Sequence, residues 1–285
     1  MSGTGLDPRW GRASPLHDPR LLAHFTPRST DILITTAPKA GTTWMQQILY
    51  QSRTGGDDCF ASIYEQVPWL EHPRMHQSWQ ETLQQYEAMS DPRIFKTHCT
   101  YPQTPGIGTV RIVLSSRDPR DCCVSFYHHL MAMTPAARQA SGIKLPTSFD
   151  EYFWHWLRFG AWYRNVQSWW PHFHDTRVLW LRYEDMRKDL SSALLDILHF
   201  LGWKLTAAQT RRVLHYSDFN WMKAHAEKFT RFAANDASLF RPGGFIRKGQ
   251  SGDYRSLLSA AQQKCILDKA AAELPADCMA FLGLA

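Results

Sequence analysis

The stretch Thr35-Thr36-Ala37-Pro38-Lys39-Ala40-Gly41-Thr42-Thr43-Trp44 constrains this chain more than any other. Before it runs Asp31-Ile32-Leu33-Ile34, a short apolar segment, and after it Met45-Gln46-Gln47-Ile48-Leu49-Tyr50, with apolar residues at helical spacing. The order predicts strand, tight loop, helix. Such a loop leaves the first N–H groups of its helix unpaired and aimed outward, where helix dipole and orphan donors together attract an anion. Gly41 lets backbone approach a ligand, Thr42 and Thr43 add hydroxyls, and Lys39 adds a cation, so phosphate or sulfate is the natural guest. A Walker A loop requires Gly-Lys-Ser/Thr. Here the lysine precedes the glycine, which disfavours an ordinary nucleoside triphosphatase.

With 285 residues, 44% of them hydrophobic, the chain can bury one large core. No Gly/Ser/Pro-rich linker divides it, so one domain is expected over 31–285. Residues 1–30, rich in Pro, Arg and Asp, form an arm laid over it, with Leu21, Leu22 and Phe25 as anchors. No apolar run reaches the length of a membrane span, and the N-terminus lacks the charged-then-apolar order of a signal peptide, so a soluble cytoplasmic protein is expected. The six cysteines form no C-x-x-C pair, which implies reduced thiols and no structural zinc. The formal charge of +6 fits an anionic ligand, and the absence of any long basic block argues against nucleic acid.

Further along, Ile63-Tyr64-Glu65-Gln66-Val67-Pro68-Trp69-Leu70 suits a pocket wall better than a regular element. Arg93-Ile94-Phe95-Lys96-Thr97-His98 begins as a strand and ends in a polar tip. Val110 to Ser116 is the next strand, and Asp118-Pro119 opens a helix as N-cap and first residue. Arg117 then stands at a strand's carboxyl end, where ligands of open α/β sheets sit, with Asp121 as its alternative partner. Phe149 to Trp170 reads as one core helix, Arg177 to Leu181 as a strand, and Arg182-Tyr183-Glu184-Asp185-Met186 as the turn into another helix. Helices over 193–201, ending at Gly202, and 206–215 follow. Alternation of strand and helix means a parallel sheet covered on both faces. From Ser217 to Asp253 the pattern dissolves into a Gly-rich basic stretch that suggests an ordered lid. Ser256 to Glu273 is expected to close the chain as an amphipathic helix.

Together these segments resemble the cytosolic sulfotransferase family over about residues 31–255. Ala37 to Trp44 is similar to the family's 5′-phosphosulfate loop, Y-P-K-S-G-T-T-W. Arg117 with Ser125 resembles its 3′-phosphate strand and helix. Phe245-Ile246-Arg247-Lys248-Gly249, followed by Gly252-Asp253-Tyr254, resembles the R-K-G-x-x-G-D-W lid, and Lys96-Thr97-His98 resembles the K-T-H segment. The departures are Ala37 for Tyr, Tyr254 for Trp, and Cys99-Thr100 for Leu-Pro.

The resemblance implies 3′-phosphoadenosine 5′-phosphosulfate (PAPS) as cosubstrate, no metal, and in-line sulfuryl transfer to an acceptor hydroxyl or amine. It makes His98 the base, and Lys39 and Lys96, helped by Thr42 and Thr43, the stabilisers of the moving charge. Ser125 would tether the 3′-phosphate and restrain Lys39. Lys39, Ala40, Gly41, Thr42, Thr43, Trp44, Arg117, Ser125, Phe245, Ile246, Arg247, Lys248 and Gly249 would bind PAPS, with Trp44, Tyr183, Ser217 and Phe219 around the adenine. For a small-molecule acceptor, Phe25, Tyr64, Trp69, His98, Phe126, His129 and Met133 form an apolar and aromatic set that suits a phenol, alcohol or lipid-like hydroxyl. The rivals are a P-loop-like kinase, which should show a Walker A lysine and an acidic magnesium ligand, and a non-catalytic nucleotide binder. Many family members dimerise through Lys-x-x-x-Thr-Val-x-x-x-Glu after the lid. The aligned positions here are Arg255, Ser259, Ala260 and Lys264, which predicts a monomer or a dimer built on another surface.

Overall fold

Strands β1 (Ile32–Ile34), β2 (Ile94–Lys96), β3 (Arg111–Ser116) and β4 (Val178–Arg182) form one parallel sheet in the order β2-β1-β3-β4. The computed structural model describes residues 6–74, 77–232 and 236–284. Every residue of β1 is buried, as a central strand covered on both faces requires. Its side chains alternate between two cores: Ile32 and Ile34 pack with Met45, Ile48 and Val113, and Leu33 with Phe95, Ile112 and Trp162. The expected α/β architecture is therefore present. The chain leaves β1 for β2 on one side and β3 for β4 on the other, so the order reverses between β1 and β3. A reversal of that kind opens a crevice at the strands' carboxyl ends.

The helices are α1 (Pro19–Ala23), α2 (Thr42–Thr54), α3 (Ile63–Gln66), α4 (Trp79–Ala88), α5 (Pro119–Ala132), α6 (Pro135–Ser141) and α7 (Phe149–Phe159). Then follow α8 (Ala161–Trp169), α9 (Tyr183–Lys188), α10 (Leu190–Leu201), α11 (Ala207–Tyr216), α12 (Phe219–Ala224), α13 (Ala260–Glu273) and α14 (Ala276–Leu282). Capping chemistry sets their ends. Asp118 Oδ1 accepts the Arg120 N–H at 2.8 Å, and Thr206 and Gln209 form a reciprocal capping box, devices worth about 1 kcal/mol each.

Three expectations need correcting. Phe149 to Trp170 is two helices, because Gly160 takes a left-handed φ of 62° that ends α7 and starts α8. Ile63 to Gln66 is a regular if short helix, since Ser62 caps it by accepting the Tyr64 N–H at 3.2 Å. The chain closes on α14, after Pro275 interrupts the pattern behind α13.

The break at Gly160 matters to the site. It turns α8 so that its polar tips reach the carbonyls of three strand-end segments: Asn165 Nδ2 donates to Thr35 O at 2.9 Å, Trp169 Nε1 to Cys99 O at 3.2 Å and Trp162 Nε1 to Arg117 O at 3.0 Å. One helix thus braces the segments after β1, β2 and β3. At the opposite end of the sheet, Arg93 and Asp31 form a fully buried pair at 2.6 Å. In the N-terminal arm, Leu21 and Leu22 are buried; its first five residues lie outside the described residues, as do 233–235 of the lid. All six cysteines are free thiols. Among the described residues no helix is long and apolar enough to cross a membrane.

Candidate active site

The β1–α2 loop is held in a strained shape. Lys39 takes a φ of 69°, and Gly41 one of 101°. A side chain at Gly41 would meet the Tyr183 ring at 3.0 Å and Ser115 Oγ at 3.2 Å, so only glycine fits there. Positive φ at a lysine costs on the order of 1–3 kcal/mol and persists where the surroundings over-determine it. Here Ser115 Oγ donates to Ala40 O at 2.7 Å and the Ala40 N–H to Ala37 O at 3.1 Å.

Thr42 Oγ1 and Arg117 Nε are buried without a partner. Buried donors left in this state are costly, and both residues line the crevice. Arg117 also serves Gln250 O at 2.7 Å and Asp121, its alternative partner, at 3.5 Å, and lies over the Tyr183 ring at 4.5 Å.

β2 ends with Lys96, whose Nζ lies 4.0 Å from the Trp69 ring centroid and 5.3 Å from that of Tyr64. Burial, with Lys39 nearby, pushes its ammonium down to about 7 against the pull of Glu71. Lys39 is likewise pushed down to about 8 by burial, then by Arg117. His98 bonds through Nδ1 to Thr36 O at 2.7 Å. A carbonyl only accepts, so Nδ1 carries the proton and Nε2 keeps its lone pair. Burial, reinforced by Lys96, pushes the ring down to about 3, which keeps it neutral. Its backbone N–H is held by Glu71 Oε1 at 3.1 Å.

The lid lies against these groups. The Phe245 ring faces Lys39 Nζ at 5.2 Å. Arg247 and Lys248 both pair with Asp253, the lysine at 2.6 Å. Asp121, in the first turn of α5, accepts the N–H groups of Gly252 and Tyr254 at 2.8 and 3.1 Å. Toward the adenine side suggested by the sequence, Trp44 packs edge-on to Tyr183 at 5.5 Å, and its Nε1 donates to Ser217 O at 2.8 Å.

A single cavity of about 590 Å³ joins these parts. Lys39, Gly41, Thr42, Thr43, Trp44, Arg117, Ser125, Tyr183, Phe219, Phe245, Ile246, Arg247, Lys248 and Gly249 line it, as do Tyr64, Trp69, Lys96, His98, Phe126, His129 and Met133. Three expected residues are absent from its wall. The Phe25 ring packs edge-on to Phe95 at 5.2 Å and under Arg93, in the core. Ala40 is wholly buried with its N–H turned into the loop, and Ser217 stands behind Trp44, which uses its carbonyl. Sequence reasoning missed His17, Glu71, Gln103, Arg187 and Phe240, which line the cavity. Arg187, one helical turn past Tyr183 and 5.6 Å from the Phe219 ring, could have been found by spacing. His17 and Gln103 carried no signal.

The chain matches the sulfotransferase domain family over residues 29–276. It is 31% identical over 257 residues to rat sulfotransferase 1A1, covering 85% of this chain and 84% of that one. With human sulfotransferase 1E1 it shares 29% identity over 247 residues, covering 83% and 81%. Among solved structures, mouse sulfotransferase SULT7A1 complexed with PAP shares the fold with a TM-score of 0.75 at 21% identity, over 94% of this chain and 93% of that one. A retinol dehydratase in complex with androsterone and PAP does so at 0.68 and 22%, over 91% and 84%. Matches of this length, on a chain whose anion-type loop sits at the switch point of a parallel sheet, fix its kinship: it belongs to the sulfotransferase family of sulfuryl-transferring enzymes.

Proposed function

We propose that this chain transfers the sulfuryl group of PAPS to a hydroxyl, or an amine, of a small-molecule acceptor, in line and with His98 as general base. The observation that carries this reading is the Nδ1 bond of His98 to Thr36 O, which leaves a neutral Nε2 acceptor on a cavity wall shared with Lys39 and Lys96. PAPS supplies the transferable sulfuryl group. The unpartnered Thr42 hydroxyl and Arg117 Nε fit its two anionic ends, and Trp44, Tyr183 and Phe219 offer aromatic surface to its base. His98 takes the acceptor's proton at Nε2. Lys39 and Lys96 stabilise the charge that develops on the departing oxygens, an electrostatic and positioning role as in phosphoryl transfer. Tyr64, Trp69, Phe126 and Met133 shape an apolar site for a phenol, alcohol or lipid-like hydroxyl. No step calls for a metal.

Mass action supplies the test, because a ligand that favours the folded state raises its melting temperature. The product 3′,5′-adenosine bisphosphate (PAP) should raise it well above the effect of AMP, which offers nothing to Arg117, Ser125, Arg247 and Lys248. Equal shifts at equal concentration would sink the donor assignment. A mixed pool of phenols, alcohols and amines with sulfur-labelled PAPS then identifies the acceptor class.

We also infer that the segment after the lid does not dimerise the protein. Lys264 stands where the resemblance expects an acid, and it is exposed and paired with Asp268 of its own helix at 2.6 Å, leaving no acid at that position to meet Arg255 across a two-fold axis. Light scattering over a dilution series should find a monomer, or a dimer indifferent to a bulky charge at Ala260.

A further inference from the structure

Lys39 has a partner that the resemblance does not assign. Its Nζ lies 3.2 Å from His129 Nδ1, whereas Ser125, one turn earlier on α5, is the residue expected to restrain it. His129 is set for this contact on every side. Its ring lies nearly parallel to Phe126, 13° off at 5.8 Å, and packs on Phe240 at 4.7 Å and on Phe245 at 5.8 Å. Phe245 is also the ring that faces the Lys39 ammonium. An imidazole walled in this way by three aromatic rings has little freedom to turn, so the direction of its Nδ1 lone pair is fixed by packing. Burial, then the neighbouring Lys39 and Lys96, holds the ring well below its ordinary value and so neutral. A neutral imidazole presents one acceptor nitrogen, and an ammonium can only donate. Lys39 is therefore the donor and His129 the acceptor.

We propose that His129 is the positioning residue for Lys39, aiming its ammonium from the acceptor side of the cavity. The loop alone does not do this, since the strained backbone at Lys39 fixes where the side chain starts and leaves its four-carbon stem free. The contact supplies the second fixed point. It also changes the place of His129 in the site: the residue belongs to the lysine's setting more than to the acceptor's wall. The inference rests on the sulfuryl-transfer reading above and deepens it.

Two variants separate aiming from packing. His129→Phe keeps an aromatic ring among Phe126, Phe240 and Phe245 and removes the lone pair. His129→Asn gives up the ring but returns an oxygen close to the position of Nδ1. Transfer of label from PAPS to the mixed acceptor pool is measured at saturating PAPS, together with the dissociation constant for PAP. The expected result is a loss of roughly tenfold in turnover for His129→Phe, the scale of a lost hydrogen bond to a charged group, with PAP affinity within about twofold. PAP binding shows at the same time that the variant is folded. His129→Asn should recover turnover to within about threefold of wild type. Full turnover in His129→Phe overturns the proposal, and so does an asparagine variant as impaired as the phenylalanine one, which would assign the loss to the missing ring. A wild-type chain inert toward PAPS and the whole pool overturns this inference and the reading beneath it together, whereas an active chain indifferent to His129→Phe overturns this inference alone.

Discussion

Arg93 and Lys96 stand three residues apart, just before β2 and at its end. Both are buried cations, and their surroundings could hardly differ more. Arg93 is fully answered: Asp31 takes its Nε at 2.8 Å and Nη2 at 2.6 Å, Thr26 O takes Nη2 at 2.8 Å, and Tyr86 O and Glu87 take Nη1, both at 3.2 Å. Lys96 has aromatic faces for its nearest company, and among the described residues no ion pair holds it. The amino end of the sheet thus satisfies its buried charge and the carboxyl end leaves it wanting. A site built to bind an anion must be electrostatically incomplete without one, and the cost is borne by a frame that is complete elsewhere.

The largest effect should come from breaking the satisfied end. Arg93→Met leaves Asp31 buried without its partner and should cost about 3–5 kcal/mol of stability, read by chemical denaturation. Lys96→Met should leave stability unchanged or raise it while abolishing most turnover. If the two variants destabilise equally, the contrast between the two ends is false.

Next in size is His98→Ala. Turnover should fall on the order of 10²-fold or more, the scale of a general base, with PAP affinity nearly unchanged. Turnover within a fewfold of wild type would mark His98 as structural and pass the role to His128 or His129.

The subtlest effect is in pH. Lys96 and Lys39 lose their protons near 7 and 8 in the folded chain, against an ordinary 10.5. Over the interval from those values to 10.5 the unfolded chain binds more protons, so the stability of the ligand-free protein should rise with pH there. The kcat/KM for PAPS, which reports the free enzyme, should fall over the start of the same interval as the cations disappear. Opposite slopes of stability and activity sharpen the comparison; parallel slopes would break it. Lys96→Met should remove part of the stability rise.

Much of this could be read before the fold was seen. Lys39, Lys96, His98 and Arg117 were legible because each ends or follows a strand of apolar residues, and strand ends are where a parallel sheet presents its ligands. The β1–α2 loop was legible because glycine and threonines before a helix have one obvious use. The helix over Phe149 to Trp170 misled because aromatics at helical spacing continue across Gly160, and only the tertiary need to reach Thr35, Cys99 and Arg117 decides that the chain bends there. His17 and Gln103 were illegible for a different reason. They reach the cavity from segments with no periodic pattern, and a side chain that acts by long-range placement leaves no mark in its own neighbourhood. Phe25 carried two readings, anchor of the arm and acceptor wall, and it lies in the core as an anchor: an aromatic in the arm looks alike whether it faces a ligand or the underside of Arg93.

Asp253 gives the lid a threshold. Arg247 and Lys248 already hold a carboxylate, so on the proposed donor reading a 3′-phosphate would have to enter by ion exchange, displacing a tethered anion that never diffuses away. A tethered competitor acts at a high effective concentration. Chloride and other monovalent ions of the medium, which would meet the two cations only singly and weakly, should lose that contest, whereas a dianion that also reached Arg117 should win it. Affinity at this end would then be the difference between two anions, and what the lid gave up in tightness it would gain in indifference to everything but a doubly charged group in the right place. On that reading the same carboxylate would re-pair the cations once the spent nucleotide has left, which opposes its return.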